Sequence, residues 1–189
     1  MPIRRAFTLT VLLMSFSSGA VASTQAPQAT CAVAFSGSST LKDFTGTLPP
    51  VTTQLESAAA PGHWNVDLLV PIAAVDTGSS SRDARLRELF RTSEIRVSLE
   101  DLDPAAVRSE HRLRGTLTLA GRTREFVATL ANWKEDEHGA SFDASGTISL
   151  ADFGLPAPTV LGVIRVADTI EVSAHVEVDA IRQAAARAG

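Results

Sequence analysis

The chain has 189 residues, of which 44% are hydrophobic, 20% charged and 5% aromatic, a globular composition that excludes disordered, collagen-like and coiled-coil chains. Its formal net charge of −4 disfavours partners held through phosphate backbones, so nucleic acid is not an expected ligand. The same acidity speaks against general adhesion to an anionic membrane surface.

Arg4 and Arg5 precede a mostly apolar run over residues 6–14 that continues to Phe16, and Ala20-Val21-Ala22 is a small-residue cleavage signature. Residues 1–22 are therefore expected to be an export signal and 23–189 a single mature domain, placed in the periplasm. The run is shorter than the roughly 20 residues that cross a bilayer, and no later stretch comes closer, so stable membrane insertion is not expected. Without the signal, 167 residues remain, with 15 basic and 21 acidic side chains and a net charge of −6. The single cysteine, Cys31, cannot form an intramolecular disulfide, so stability in an oxidising compartment must come from a packed core. Gln28-Ala29-Thr30-Cys31 lacks the leucine three places before the cysteine that marks a lipid-attachment signal.

In chain order, residues 32–36, 44–48 and 51–55 are the first expected strands. Trp64, Val66, Leu68 and Val70 then alternate with Asn65, Asp67 and Leu69 until Pro71, the period of a sheet with one buried and one wet face. After Asp76-Thr77-Gly78 the period changes. Over residues 80–91, Leu86, Leu89 and Phe90 fall at helical spacing, with Ser80 and Asp83 spaced as a capping box. The other face of this short helix carries Arg82, Arg85, Arg87 and Arg91, which is either a solvated face balanced by Asp83 and Glu88 or an anion site for a lipid head group. Alternation resumes at Ile95, Val97 and Leu99, at Leu113, Gly115, Leu117 and Leu119, over residues 123–131, at Phe142, Ala144, Gly146, Ile148 and Leu150, and at Ile170, Val172, Ala174, Val176 and Val178. Gly154, Pro156 and Pro158 form an irregular link, and the alanine-rich tail 180–189 is expected to be a frayed helix.

Eight or nine strands separated by turn signals predict an all-β antiparallel barrel or sandwich. The inner face mixes Ala and Gly with Val, Ile and Leu, which in an eight-stranded barrel leaves either room for one apolar ligand or a closely packed, side-chain-filled centre.

Asp76-Thr77-Gly78-Ser79-Ser80 matches the catalytic loop of aspartic proteases, but that chemistry needs two aspartates sharing a proton, hence a homodimer here. The plainer expectation is a structural turn, with the Asp76 carboxylate accepting a turn hydrogen bond and Gly78 at positive φ. His63, His111, His138 and His175 have no local zinc-site spacing, so no metal is expected. No Gly-x-Ser-x-Gly elbow or phosphate-binding glycine loop is present in the sequence, and no nucleophile is activated by a local motif.

Three segments carry a resemblance. Asp76-Thr77-Gly78 with Arg82-Asp83 and Leu86-Arg87, then Gly115-Thr116-Leu117-Thr118-Leu119 with Gly121-Arg122-Thr123, then Ser149-Leu150-Ala151-Asp152-Phe153-Gly154-Leu155, resemble in content and order the YceI-like family of secreted, polyisoprenoid-binding proteins. The resemblance covers residues 33–179 and implies a lipocalin-like antiparallel β-barrel with an isoprenoid tail, of a quinone or a polyprenyl phosphate, in its lumen. It departs at the start, where an Asp-x-x-His-Ser opening would be expected and Phe35-Ser36-Gly37-Ser38-Ser39 stands instead; the chain also has no tyrosine.

The expected function is thus a non-enzymatic periplasmic carrier or buffer of an isoprenoid-type lipid, with no cofactor beyond that ligand. Its expected binding residues are the inward set Trp64, Val66, Leu68, Val97, Leu117, Phe142, Ile148, Val172 and Val176, with Arg82 and Arg85 at the mouth. The alternatives are a stress-protective or structural interaction module with a filled barrel and, more remotely, the dimeric protease built on Asp76. The cleavage signature makes one direct prediction: the exported protein begins at Ser23, and an intact mass retaining residues 1–22 after secretion would refute it.

Overall fold

A computed structural model describes residues 26–90, 94–155, 159–160 and 164–179; the expected export signal, Arg91, Pro156, Pro158 and the tail 180–189 lie outside them. Nine antiparallel strands follow in chain order: β1 (Gln28–Ser39), β2 (Phe44–Ser57), β3 (Trp64–Pro71), β4 (Glu94–Leu102), β5 (Arg112–Leu119), β6 (Arg122–Asp136), β7 (Gly139–Ser149), β8 (Thr159–Val160) and β9 (Ile164–Asp179). Each of β1 to β7 pairs with its sequence neighbour, β7 pairs with β9, and β9 returns to pair with β1 from Ala29↔Val178 to Ser39↔Val166. The sheet therefore closes into an eight-stranded barrel, with the two-residue β8 attached to β9 alone.

Up-and-down winding gives the barrel two ends. One carries the β1–β2 turn, a 3-10 turn Ile72–Ala74, helix α1 (Ser80–Phe90) and the Ala120-Gly121 hairpin, whose two turn residues both have positive φ, as a tight two-residue turn requires. At the other end lie the β2–β3 loop and a second helix, α2 (Pro104–Glu110). The sequence reading has no counterpart to α2. Its seven residues are too short to display a helical period, although Asp103-Pro104 is a local start signal: the Asp103 carboxylate accepts from Ala105 N–H at 2.9 Å and proline fills the first turn.

β2 corrects another boundary. Residues 44–48 and 51–55, expected as two strands, form one, because Pro49 and Pro50 make a bulge in β2 opposite the single Ala32 of β1, between the pairs Cys31↔Val51 and Val33↔Leu48. On its other side β2 pairs with β3 only through Leu55–Ser57, so neither proline deprives the ladder of a donor. Nearer α1 the two strands part. Thr53 Oγ1 spans the gap by donating to Asp67 O at 2.9 Å, and Thr47 and Asp76 exchange backbone hydrogen bonds of 2.8 and 3.0 Å beyond it.

α1 packs against this end, placing Leu86 and Phe90 against Leu48, Leu68, Val70, Ile72 and Val75, while Leu89 joins Phe90 against Leu117, Leu119 and Leu150. Its cap differs from the Ser80–Asp83 box read from spacing. Asp83 is buried and reaches back to Thr77, accepting from its N–H at 3.0 Å and its hydroxyl at 2.6 Å. Asp76 adopts the expected turn role: its carboxylate accepts from Gly78 N–H at 2.8 Å, and Gly78 has φ of 69°.

The outer wall is polar along its length. Arg96 and Ser98 meet Asp67 across β3 and β4, and Ser36 donates to Glu171 across β1 and β9. Asn132 and His175 flank Asp143 at 2.6 and 2.7 Å, and their hydrogen bonds hold its carboxyl below the ordinary carboxylate range. Polar outside and apolar inside is the inverse of a barrel that spans a bilayer. No described helix is long and apolar enough to cross one either.

Asp83→Ala should cost about 1–3 kcal/mol in chemical denaturation, since it strands the part-buried Thr77 donors, whereas Asp83→Asn should cost less. Wild-type stability in the alanine variant would mean that α1 is anchored elsewhere.

Candidate ligand-binding site

Closure turns the apolar face of every strand toward one interior space, a cavity of about 1330 Å³ that runs from the α1 end to the α2 end. The core side chains do not fill it. Among the described residues no large side chain is below 2% exposed, and the best covered, including Val70, Ile72, Leu119 and Leu130, stop at 4%. Three apolar clusters form the wall instead of one solid core.

All eleven residues expected at the site lie on this wall. Leu68, Val97 and Leu117 are register partners across β3, β4 and β5; Phe142 and Val176 are partners across β7 and β9, with Cys31 next on β1. Val172 stands between Phe35 and Gly146, Ile148 opposite Ile170, and Trp64 and Val66 nearer the α2 end. Contributions from β1, β2 and β6 were missing from the sequence reading, among them Cys31, Val33, Phe35, Leu55 and Phe126, as was that of the helix residues Leu86, Leu89 and Phe90. For β1 the signal was present, since Cys31, Val33 and Phe35 already alternate. For the helix face it required knowing that α1 caps an open end.

Two glycines shape the wall by absence. The Phe35 ring lies against Gly46 and the Phe44 ring against Gly37, each where a Cβ would overlap it, so both rings use the space that the missing side chains leave.

The mouths differ in charge. At the α1 end the lining includes Lys42, Arg82 and Arg85 with one acid, Asp43; at the α2 end it includes Glu135, Asp136, Glu137 and Asp179 with one base, Arg108. Arg82 donates to Thr77 O at 3.3 Å and sits 5.7 Å over the Phe44 ring, while the exposed Arg85 pairs with Glu88 at 3.0 Å. Arg87 turns away to donate to Ala73 O at 3.0 Å, so it staples α1 to the 3-10 turn. At the far mouth Trp133 stacks on Phe142 with centroids 5.0 Å apart, and Arg108 lies 5.6 Å over the indole while pairing with Glu135. This arrangement leaves the Trp133 N–H buried without an acceptor.

The wall offers solvation to an apolar chain and little chemistry. Burial pushes the Cys31 thiol up to about 11, so at neutral pH it is a protonated, weakly polar part of the surface. The Asp76 carboxylate is engaged in its turn. His63 pairs with Asp101 at 3.0 Å and His175 with Asp143, and among the described residues no three His, Cys, Asp or Glu side chains gather as metal ligands.

Comparison with known proteins agrees with this architecture. A family model described as the YceI-like domain matches residues 25–178. No curated protein matches the chain. Among solved structures, a polyisoprenoid binding domain from Saccharophagus degradans implicated in plant cell wall breakdown aligns with a TM-score of 0.62 at 16% identity, covering 81% of this chain and 98% of that one. Burkholderia cenocepacia BcnA aligns at 0.60 and 13% identity, over 78% and 95%. The Campylobacter jejuni YCEI protein aligns at 0.52 and 19% identity, over 71% and 84%. All three share this fold, and the match of the family model across most of the chain places it in the YceI-like domain family.

Proposed function

We propose that the protein is a carrier or buffer for an isoprenoid-type lipid, exported to the periplasm and holding the tail of a polyprenyl or quinone molecule in its barrel. The observation that carries this reading is the open apolar lumen. At about 1330 Å³ it exceeds the roughly 300–1,000 Å³ of ordinary small-molecule pockets, and its long axis is bordered by Leu, Val, Phe and Ala rather than by polar groups. Each methylene moved from water into such a space contributes about 0.8 kcal/mol, so a tail of several isoprene units binds tightly without a polar contact. The Saccharophagus neighbour, named a polyisoprenoid binding domain, supports the same ligand class.

Arg82 and Arg85 at the α1 mouth supply donors for an anionic head group such as a polyprenyl phosphate. The size of the cavity disfavours the filled-barrel alternative. As for the protease alternative, the Asp76 carboxylate is occupied by Gly78 N–H, and the hydroxyl of Thr77 by Asp83.

Mass spectrometry of lipid carried by protein purified without detergent tests the reading directly; protein free of lipid from its native compartment would overturn it. Val172→Asp should abolish lipid retention, since an unpaired carboxylate facing the lumen costs several kcal/mol or must stay neutral. Ser173→Asp, exposed on the outer face, should change little. Equal loss from both would mean that the inward register is wrong.

Cys31 gives an independent readout as the only thiol. With its pKa pushed up to about 11, alkylation at pH 8 should be slow and should accelerate as pH rises and the thiolate forms. It should be slower still in lipid-loaded than in delipidated protein, and equal rates would place the ligand away from Cys31.

A further inference from the structure

We propose that the α1-end rim is a docking surface for an anionic lipid bilayer, through which the lumen exchanges its ligand. The inference rests on reading the lumen as a lipid site. Its starting point is Leu41, which is 74% exposed, the most exposed large hydrophobic among the described residues, and stands on the rim of the cavity. This exposure is imposed by the turn. Ser39 Oγ donates to Lys42 O at 2.7 Å and accepts from Lys42 N–H at 3.1 Å, a clamp that holds the tip outward instead of letting Leu41 fold into the mouth. The other two exposed large hydrophobics among the described residues, Leu69 and Val127, sit on separate strands, as scattered surface residues do.

Charge selects the partner. Lys42 adjoins Leu41, and Arg82 and Arg85 are exposed on the same mouth, so its lining carries three bases to one acid, with Glu88 beside it paired to Arg85; the opposite mouth carries four acids to one base. A net negative protein is repelled by an anionic surface on average, but this distribution makes it a dipole. Its acidic end turns away and its α1 rim turns toward the bilayer. Leu41 then enters the interfacial layer, Lys42, Arg82 and Arg85 meet lipid phosphates, and the open mouth faces the membrane from which a lipid ligand must come.

Flotation of the mature protein with vesicles tests this. With vesicles of phosphatidylglycerol and phosphatidylethanolamine at low salt the wild type should float, and at least tenfold less should float with phosphatidylcholine vesicles. Raising salt to about 0.5 M should abolish binding to the anionic vesicles. Leu41→Asp should weaken binding about tenfold or more, the scale of losing one buried leucine, and Leu69→Asp on the outer face of β3 should match the wild type. Equal flotation with both vesicle types, none with either, or a Leu41→Asp protein that floats like the wild type would each overturn the proposal. Mass spectrometry of the same preparations separates it from the lumen reading. Lipid-loaded protein that does not float sinks the docking surface alone, and floating protein that carries no lipid sinks the lumen reading alone.

Discussion

The pairing of β9 with β1 is the interaction on which the rest depends. Left open, the sheet would offer one continuous apolar face to water and two strand edges to any passing chain. The pairing from Ala29↔Val178 to Ser39↔Val166 removes both problems together. Once the ring is closed, the period-two pattern of every strand becomes a distinction between lumen and solvent. Eight strands enclose more space than Val, Leu and Ala side chains can occupy, so the hydrophobic interior is a surface rather than a solid. Stability and capacity thus come from the same residues: Phe142, Val176 and Cys31 hold adjacent strands together and also border the cavity.

An open tube of this kind has ends, and they are finished differently. α1 lays Leu86, Leu89 and Phe90 over two apolar clusters and is tied down by polar contacts made to backbone: Asp83 to Thr77, Arg87 to Ala73. α2 buries only Val107 and relies on Arg108, which lies across Trp133 and pairs with Glu135. The first arrangement orders a wide apolar rim, while the second holds a short helix through Val107 in an apolar cluster and Arg108 against an aromatic stack.

Much of this was legible in the chain. Strict alternation at Trp64 to Val70, Phe142 to Leu150 and Ile170 to Val178 identified strands and also the side of each that turns inward, because period two admits only two registers. Asp76 and Gly78 announced their turn through residue chemistry alone. Less legible was whatever depends on distant partners. Pro49-Pro50 looked like a break until β1 paired on both sides of it and made it a bulge, and Ser80 looked like the partner of Asp83 until the chain before the helix brought Thr77 closer. α2 was too short to show a period. Whether the centre was filled or open could not be read locally, since it is set by how many strands close and not by any one of them.

Both tryptophans, Trp64 and Trp133, stand on the cavity wall toward the α2 end, and the chain has no tyrosine. Ultraviolet emission from the folded protein therefore originates at the lumen lining, with no phenol elsewhere to dilute it. Trp133, stacked on Phe142 and beneath a guanidinium, and Trp64 both border the space that an occupant would displace solvent from. The barrel thereby carries its own optical gauge of occupancy, positioned at the end remote from the basic rim.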